Sequence, residues 1–190
     1  MTLGMIEDVV AFGYDRASLD AIARPRAALA IWWRSLSPAL LSSLATLDLD
    51  AIDKLSLDLD AEGTLDAALR DAGYSEPVVA PLAEDIGLLV RRHAALTGED
   101  RLHVRLEVVE TDAGRGFHAD HVPLRLRCTY LGPGTQWCRA AAPDGICEVP
   151  TGMVSVFKGR MLLDPPTILH RAPPIAGAGE QRLVLTIDPR

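Results

Sequence analysis

The sequence predicts an α+β chain in which a mainly helical region, residues 1–99, packs on a β-rich core at residues 100–190. Three observations lead there. From Arg101 onward, apolar and polar residues alternate in short runs such as His103–Glu110 and Val122–Cys128, as half-buried strands do, and Arg182–Asp188 reads as a further, more apolar strand. Turn-formers separate those runs, among them Gly132-Pro133-Gly134-Thr135 and residues 173–179, which suits a sandwich or jelly roll better than a parallel sheet. Before residue 100, helical patterning dominates. In Pro81–Thr97 the residues Leu82, Ile86, Leu89, Val90 and His93 recur at spacings of three and four, and Gly98 stops the run.

A chain of 190 residues with 48% apolar and 24% charged residues can bury one substantial core. The net charge of −7 is uneven: residues 1–100 carry 8 Lys/Arg against 17 Asp/Glu, residues 101–190 carry 11 against 9. The acidic half argues against general nucleic-acid binding, and the mildly basic half tolerates an anionic small molecule. No apolar run has membrane-spanning length, and Met1–Asp8 lacks the basic-then-apolar pattern of a signal peptide. Cys128, Cys138 and Cys147 are odd in number and have no CxxC spacing, so they read as buried thiols in a reducing cytoplasm.

Taken in order, Ser18-Leu19-Asp20 caps a helix, and Ala21–Ala23 and Ala27–Leu36 have helical composition interrupted by Pro25. Trp32 and Trp33 cannot both face one core from a helix. One is expected to be buried and the other to meet a domain or subunit contact, which leaves room for a homodimer. Pro38–Leu44 is a short helix opened by proline. Leu47–Asp50 and Leu55–Asp60 alternate like strands, and their DLD repeats lack the DxDxDG loop of a calcium site. Thr64–Ala72 is a short helix closed by Gly73. His93, near a helix C-terminus that favours a partly charged imidazole, reads as structural, and His103 as a solvent-facing strand residue. Short strands are expected at Gln136–Cys138, Cys147–Val149, Gly152–Phe157 and Thr167–His170.

The chemistry centres on Phe117-His118-Ala119-Asp120-His121. In extended backbone, His118 and Asp120 point to one face. An imidazole and a carboxylate converging this way supply two of the three ligands of a facial triad, which leaves three metal positions open. The third would be a histidine on a strand returning beside the first, and His170 is the only histidine after residue 121. His121 points the opposite way and belongs at the rim, unless a bulge puts it in place of His118. Arg125 and Arg127 lie on the polar face of the following strand, and Arg125 and Arg171 are placed around the ligands. Neither a GxSxG elbow nor a GxxxxGK[ST] loop is present.

Twelve residues past His170 stands Arg182, opening the apolar run Leu183–Asp188. His-x-Asp, a distal His and then an Arg resemble the iron(II)- and 2-oxoglutarate-dependent oxygenases. The strings FHADHVPLRLRCTYLGPGTQW and LHRAPP also resemble a bacterial family catalogued as domain of unknown function 1826, over roughly residues 80–190. The first resemblance implies a double-stranded β-helix (jelly-roll, cupin-like) core. It makes His118, Asp120 and His170 the metal ligands for iron(II), and Arg182 the anchor for the far carboxylate of 2-oxoglutarate, because a guanidinium fork matches a carboxylate. Thr129, Tyr130 and Lys158 are candidates to complete that clamp. The substrate would be a small molecule or a protein. The alternatives are a zinc- or nickel-binding protein of metal homeostasis using the same triad, and a cupin-like module with a vestigial site. Arg182 separates the first from the second, since a metal store needs no carboxylate anchor.

Overall fold

The computed structural model describes residues 9–111, 116–175 and 177–190. Its strands are β1 (Val10–Gly13), β2 (Leu29–Trp32), β3 (Leu55–Asp60), β4 (Arg101–Val109), β5 (Leu124–Leu131), β6 (Thr135–Arg139), β7 (Ala142–Val149), β8 (Val154–Lys158), β9 (Ile168–Arg171) and β10 (Arg182–Pro189). Three α-helices join them: α1 (Pro38–Leu44), α2 (Asp66–Asp71) and α3 (Glu76–Thr97). The strands form a seven-stranded sheet of order β1-β2-β8-β5-β10-β4-β3 and a three-stranded sheet of order β7-β6-β9. Pairing is antiparallel except between β1 and β2.

The two faces of the large sheet differ. One carries Leu102, Val104 and Leu106 of β4, Leu124, Leu126, Cys128 and Tyr130 of β5, and Leu183, Leu185 and Ile187 of β10. These are buried with Val78, Val79, Leu82, Ile86, Leu89 and Val90 of α3 in the main apolar cluster. Burying such a face against an amphipathic helix is what makes both elements stable, since neither is stable alone in water. The alternate residues, Arg105, Glu107, Arg125, Arg127, Thr129, Arg182, Thr186 and Asp188, therefore point off the other face, toward the small sheet. Apolar filling on that side includes a second, smaller cluster of Ala28, Leu29, Ile31, Val149, Phe157 and Ile168.

The structure corrects the expectation of a mainly helical N-terminal region. That region contributes β1, β2 and β3, which extend both edges of the large sheet. Ala27–Leu36, read as helical, contains β2 instead. Ala28 to Ile31 are at most 4% exposed, so the strand is buried on both faces and shows the unbroken apolar run that a buried helix also shows. Trp32 packs against the main cluster while Trp33 is 38% exposed. Leu47–Asp50 is not a strand: a 3-10 turn at Leu49–Ala51 is capped by the Asp48 side chain. Helix α3 begins at Glu76 and tolerates Pro81 inside it. Cys128 and Cys138 are buried as expected, whereas Cys147 is exposed on β7. His103 is half-buried, 2.8 Å from Asp58, rather than solvent-facing. Among the described residues, no helix is long and apolar enough to cross a membrane.

A buried polar link joins α3 to the sheet. Arg34 donates to both oxygens of Asp85 at 2.6 and 2.8 Å, and its Nε donates to the Gly152 carbonyl at 3.0 Å. The Tyr130 hydroxyl donates to Asp85 at 2.6 Å. Removing one member strands the other charge in a dry site. Asp85→Ala is therefore expected to destabilise the fold by about 3 kcal/mol, and Tyr130→Phe by about 1 kcal/mol, in urea denaturation.

His93 lies in the same interface, fully buried, with neither ring nitrogen in hydrogen-bond geometry. Burial pushes its pKa down to about 4, against the opposing charge of Asp188 and the nearby Leu124 backbone. It is thus held neutral, not partly charged as its place in the helix suggests. Below an unfolded pKa of about 6.5 the unfolded chain takes up a proton that the folded chain refuses. Stability is therefore lost as pH falls from about 6.5 toward about 4, by up to about 3 kcal/mol from this group. His93→Phe should flatten that part of the stability–pH curve. An unchanged slope in the variant would show that His93 is not responsible.

Candidate metal centre

Backbone pairing brings the site together. His118 forms an isolated antiparallel bridge with His170 of β9, with N–H to carbonyl bonds of 3.0 and 2.9 Å in the two directions. Residues directly opposite in such a pair project from the same face. Their rings lie 4.8 Å apart between centroids. Asp120, two residues past His118, reaches the same place, and the ligand atoms of His118, Asp120 and His170 all lie within 4.8 Å of one another. His118 and Asp120 thus belong to a segment alongside the small sheet, and β5 of the large sheet begins four residues later, at Leu124.

Each donor atom is prepared. His118 Nδ1 donates to the Gly116 carbonyl at 2.8 Å, which turns Nε2 toward Asp120 Oδ1, 3.6 Å away. His170 is 2% exposed, packed at 4.4 Å against the Phe157 ring. Burial pushes its pKa down to about 4, with Asp120 opposing. The hydrogen bond to Asp120 raises the His118 pKa, with burial opposing. For Asp120, burial acts to raise the pKa, but His118, His170 and Arg125 together hold it well below the usual carboxylate range. An ionised Asp120 beside a neutral His170 is consistent, because Arg125 Nη1 supplies a cation 2.6 Å from Asp120 Oδ1. The other oxygen, Oδ2, lies 2.9 Å from His170 Nε2. Both of those atoms are buried without a partner in hydrogen-bond geometry. Imidazole nitrogens of His118 and His170 and a carboxylate oxygen of Asp120 converge, with His170 Nε2 and Asp120 Oδ2 orphaned, and such a donor set suits a divalent first-row metal ion.

A cavity of about 150 Å³ opens beside this cluster, lined by His118, Arg127, Arg182, Thr186 and Glu107 with Val109, Ala172 and Val184. Arg182 is 1% exposed. Its Nε donates to the Pro133 carbonyl at 2.6 Å, and Nη2 donates to the hydroxyls of Thr129 and Thr135, both at 3.3 Å. Burial and the charge of Arg127 bring its pKa down to about 10, with Glu148 opposing, so it remains a cation at neutral pH. Among the described residues no carboxylate is paired with it. The turn that carries Pro133 is fitted closely to Arg182: Gly132 has φ +79°, and a Cβ there would stand 2.2 Å from the Gln181 carbonyl oxygen.

Of the residues singled out in the sequence, Thr129 meets Arg182, whereas Tyr130 and Lys158 do not. Tyr130 faces the opposite side of β5 and bonds Asp85, because neighbours on a strand alternate. Lys158 reaches out to the Arg24 carbonyl at 2.8 Å. His121 is exposed and outside the His-Asp-His cluster. Arg171 stacks over Phe117 at 4.4 Å and donates to Gln136 at 2.8 Å. Arg125 bridges Asp120 and Asp188. Thr135 and Arg127 join the site without having been singled out. The signal for Thr135 lay in the turn before it, whereas Arg127, two residues from both Arg125 and Thr129, reads locally like any residue of a solvated strand face.

Replacing ligand residues checks the cluster. His118→Ala and Asp120→Ala are each expected to weaken cobalt(II) or zinc binding at least about 100-fold, judged from the several kcal/mol a charged ligand supplies. Equilibrium dialysis with metal analysis reads the affinity, and circular dichroism confirms folding. Undiminished uptake by the folded variants would remove these residues from the site.

No curated protein matches the sequence. The fold is similar to that of a dioxygenase for auxin oxidation from rice, at 16% identity over 94% of this chain and 81% of that one, TM-score 0.51. It is also similar to a prolyl-4-hydroxylase of Pseudomonas putida, at 17% identity over 92% of this chain and 97% of that one, TM-score 0.50. At such identities the likeness is one of fold. The family model described as protein of unknown function DUF1826 matches residues 13–188, far beyond the stretch that carries the quoted strings, and the chain belongs to that family.

Proposed function

We propose that the protein is a non-haem iron(II)- and 2-oxoglutarate-dependent oxygenase built on a double-stranded β-helix. The observation that carries this is one cavity lined both by His118 of the His-Asp-His cluster and by the buried Arg182, which pairs with no carboxylate among the described residues. Strands β8-β5-β10-β4 opposed to β7-β6-β9, with His118 bridged to the outer side of β9, support the β-helix reading. The fold likeness to a dioxygenase and a hydroxylase points the same way.

In this reading His118 Nε2, His170 Nε2 and Asp120 hold iron(II). With a 2-oxo acid and dioxygen, that ion supplies oxidation of an unactivated C–H bond coupled to decarboxylation of the co-acid. The chain's own contribution is positioning. Arg182, steadied by Pro133, Thr129 and Thr135, takes the far carboxylate of the co-acid. Val109, Ala172 and Val184 give the cavity an apolar wall that excludes water. Arg125 fixes the Asp120 carboxylate, and Phe157 fixes the His170 ring.

A zinc- or nickel-binding role without turnover would use the same three ligands, but it gives no reason to bury Arg182 beside them. Anaerobic titration separates the two. Iron(II) followed by 2-oxoglutarate should give a visible charge-transfer band that needs both additions, and Arg182→Ala should weaken the apparent 2-oxoglutarate affinity at least about tenfold, the loss of one charged hydrogen-bonded contact. Metal uptake with no optical response to 2-oxoglutarate would leave the metal-homeostasis reading standing instead.

A further inference from the structure

Arg127 lines this cavity, near Asp120 and Asp188 but with its Nε in no hydrogen bond among the described residues. It lies on β5 between Arg125 and Thr129, the three sharing the inner face at a spacing of about 7 Å per step. Arg125 is committed to Asp120 and Asp188, and Thr129 to Arg182. Arg127 is therefore held midway between the metal cluster and the anchor, beside Thr186 in the register of β10.

Among the described residues, the acids nearest it, Asp120, Asp188 and Glu107, each pair with another cation. Asp120 pairs with Arg125 at 2.6 Å. Asp188 pairs with Arg125 at 2.6 Å and Arg105 at 3.3 Å. Glu107, which lines the same cavity, pairs with Lys54 at 3.0 Å. Arg127 Nε is buried and has no hydrogen-bond partner. A guanidinium in that position costs stability unless a ligand completes it. The cavity measures about 150 Å³ and contains both Arg127 and Arg182, so it has room for one small molecule that must answer both cations.

We infer that Arg127 is a second carboxylate-positioning residue, and that the cavity takes a short dicarboxylate by both ends, Arg182 at one and Arg127 at the other. Arg127 then turns the carboxylate next to the 2-oxo group toward the His-Asp-His cluster. This deepens the oxygenase reading, on which the use of the cavity for a co-substrate rests. The two-ended grip itself needs no metal and is measurable without one.

Isothermal titration of the parent protein in EDTA with glutarate, which lacks the 2-oxo group, tests it. Glutarate should bind once per chain, and pentanoate, with one carboxylate, at least about tenfold more weakly, one charged contact being worth about that factor. Arg127→Gln and Arg182→Gln should each bring glutarate down to the level of pentanoate, and Arg127→Lys should keep an intermediate affinity. Arg127→Met should lose glutarate binding while keeping or raising the melting temperature, which a residue retained for structure would not do. No glutarate binding by the parent, or equal affinity in a folded Arg127→Gln variant, overturns the inference. Glutarate binding that depends on both arginines, with no charge-transfer band from iron(II) and 2-oxoglutarate, would instead keep the dicarboxylate site and remove the oxygenase reading.

Discussion

A charge on the inner face of a buried sheet must be answered by a partner, and this constraint governs the molecule's interior. Arg105, Arg125, Arg127 and Arg182 all point off the face of the large sheet that looks toward the small one. Desolvating a guanidinium without a partner costs several kcal/mol, far more than a surface ion pair returns. Asp188 answers two of these cations, bonding Arg125 through both of its oxygens and Arg105 through one. Arg125 in turn reaches Asp120. The result is a chain of alternating charge, Arg105–Asp188–Arg125–Asp120, running from β4 across β10 and β5 to the metal-ligand segment. Because each link is a charge-assisted bond of fixed geometry, it sets the Asp120 carboxylate more tightly than a loop residue would otherwise be set.

Such an interior is affordable because stability is supplied elsewhere. The outer face of the same sheet carries the main apolar cluster, built with α3 and extended by α1 and α2. Between the sheets a smaller apolar cluster lies around Leu29, Phe157 and Ile168. The molecule therefore separates its duties by the pleat of its strands: one set of alternate residues holds the fold together, the other set is free for chemistry. Leu126 and Arg127 are neighbours in sequence and serve opposite sides of this division. The same pleat explains why Tyr130 joins Asp85 on α3 while Thr129 joins Arg182.

That division also explains what could be read from the chain. The alternation in β4 and β5 was legible because one face is apolar throughout, and β10 was legible as an apolar run, which located the three strands to within a residue or two. His118, Asp120 and His170 were legible because their spacing implies a common face and a returning strand, and Arg182 because it opens the strand after the distal histidine. Arg127 was not legible as a site residue. A charge at every second position is the ordinary mark of a solvated face, and nothing local distinguishes solvent from a polar cavity. Strand β2 was missed for the complementary reason, since Ala28 to Ile31 are apolar on both faces and carry no period. The edge strands β1 and β3 depend on where the chain returns after long excursions, which a local pattern does not contain.

The charge chain has a consequence for coordination. Arg125 occupies Asp120 Oδ1 at 2.6 Å, leaving Oδ2 facing His170 Nε2. A carboxylate so engaged offers a cation one oxygen rather than two. With His118 and His170 fixed opposite each other by their backbone bridge, His118, Asp120 and His170 offer their ligand atoms from one side. In the oxygenase reading these three ligands would leave positions of the ion free for a co-substrate, and the next fixed charges lining the cavity are Arg127 and Arg182. The one-sided cluster and the two cations beside it thus follow from one arrangement of charge on the inner face of the sheet.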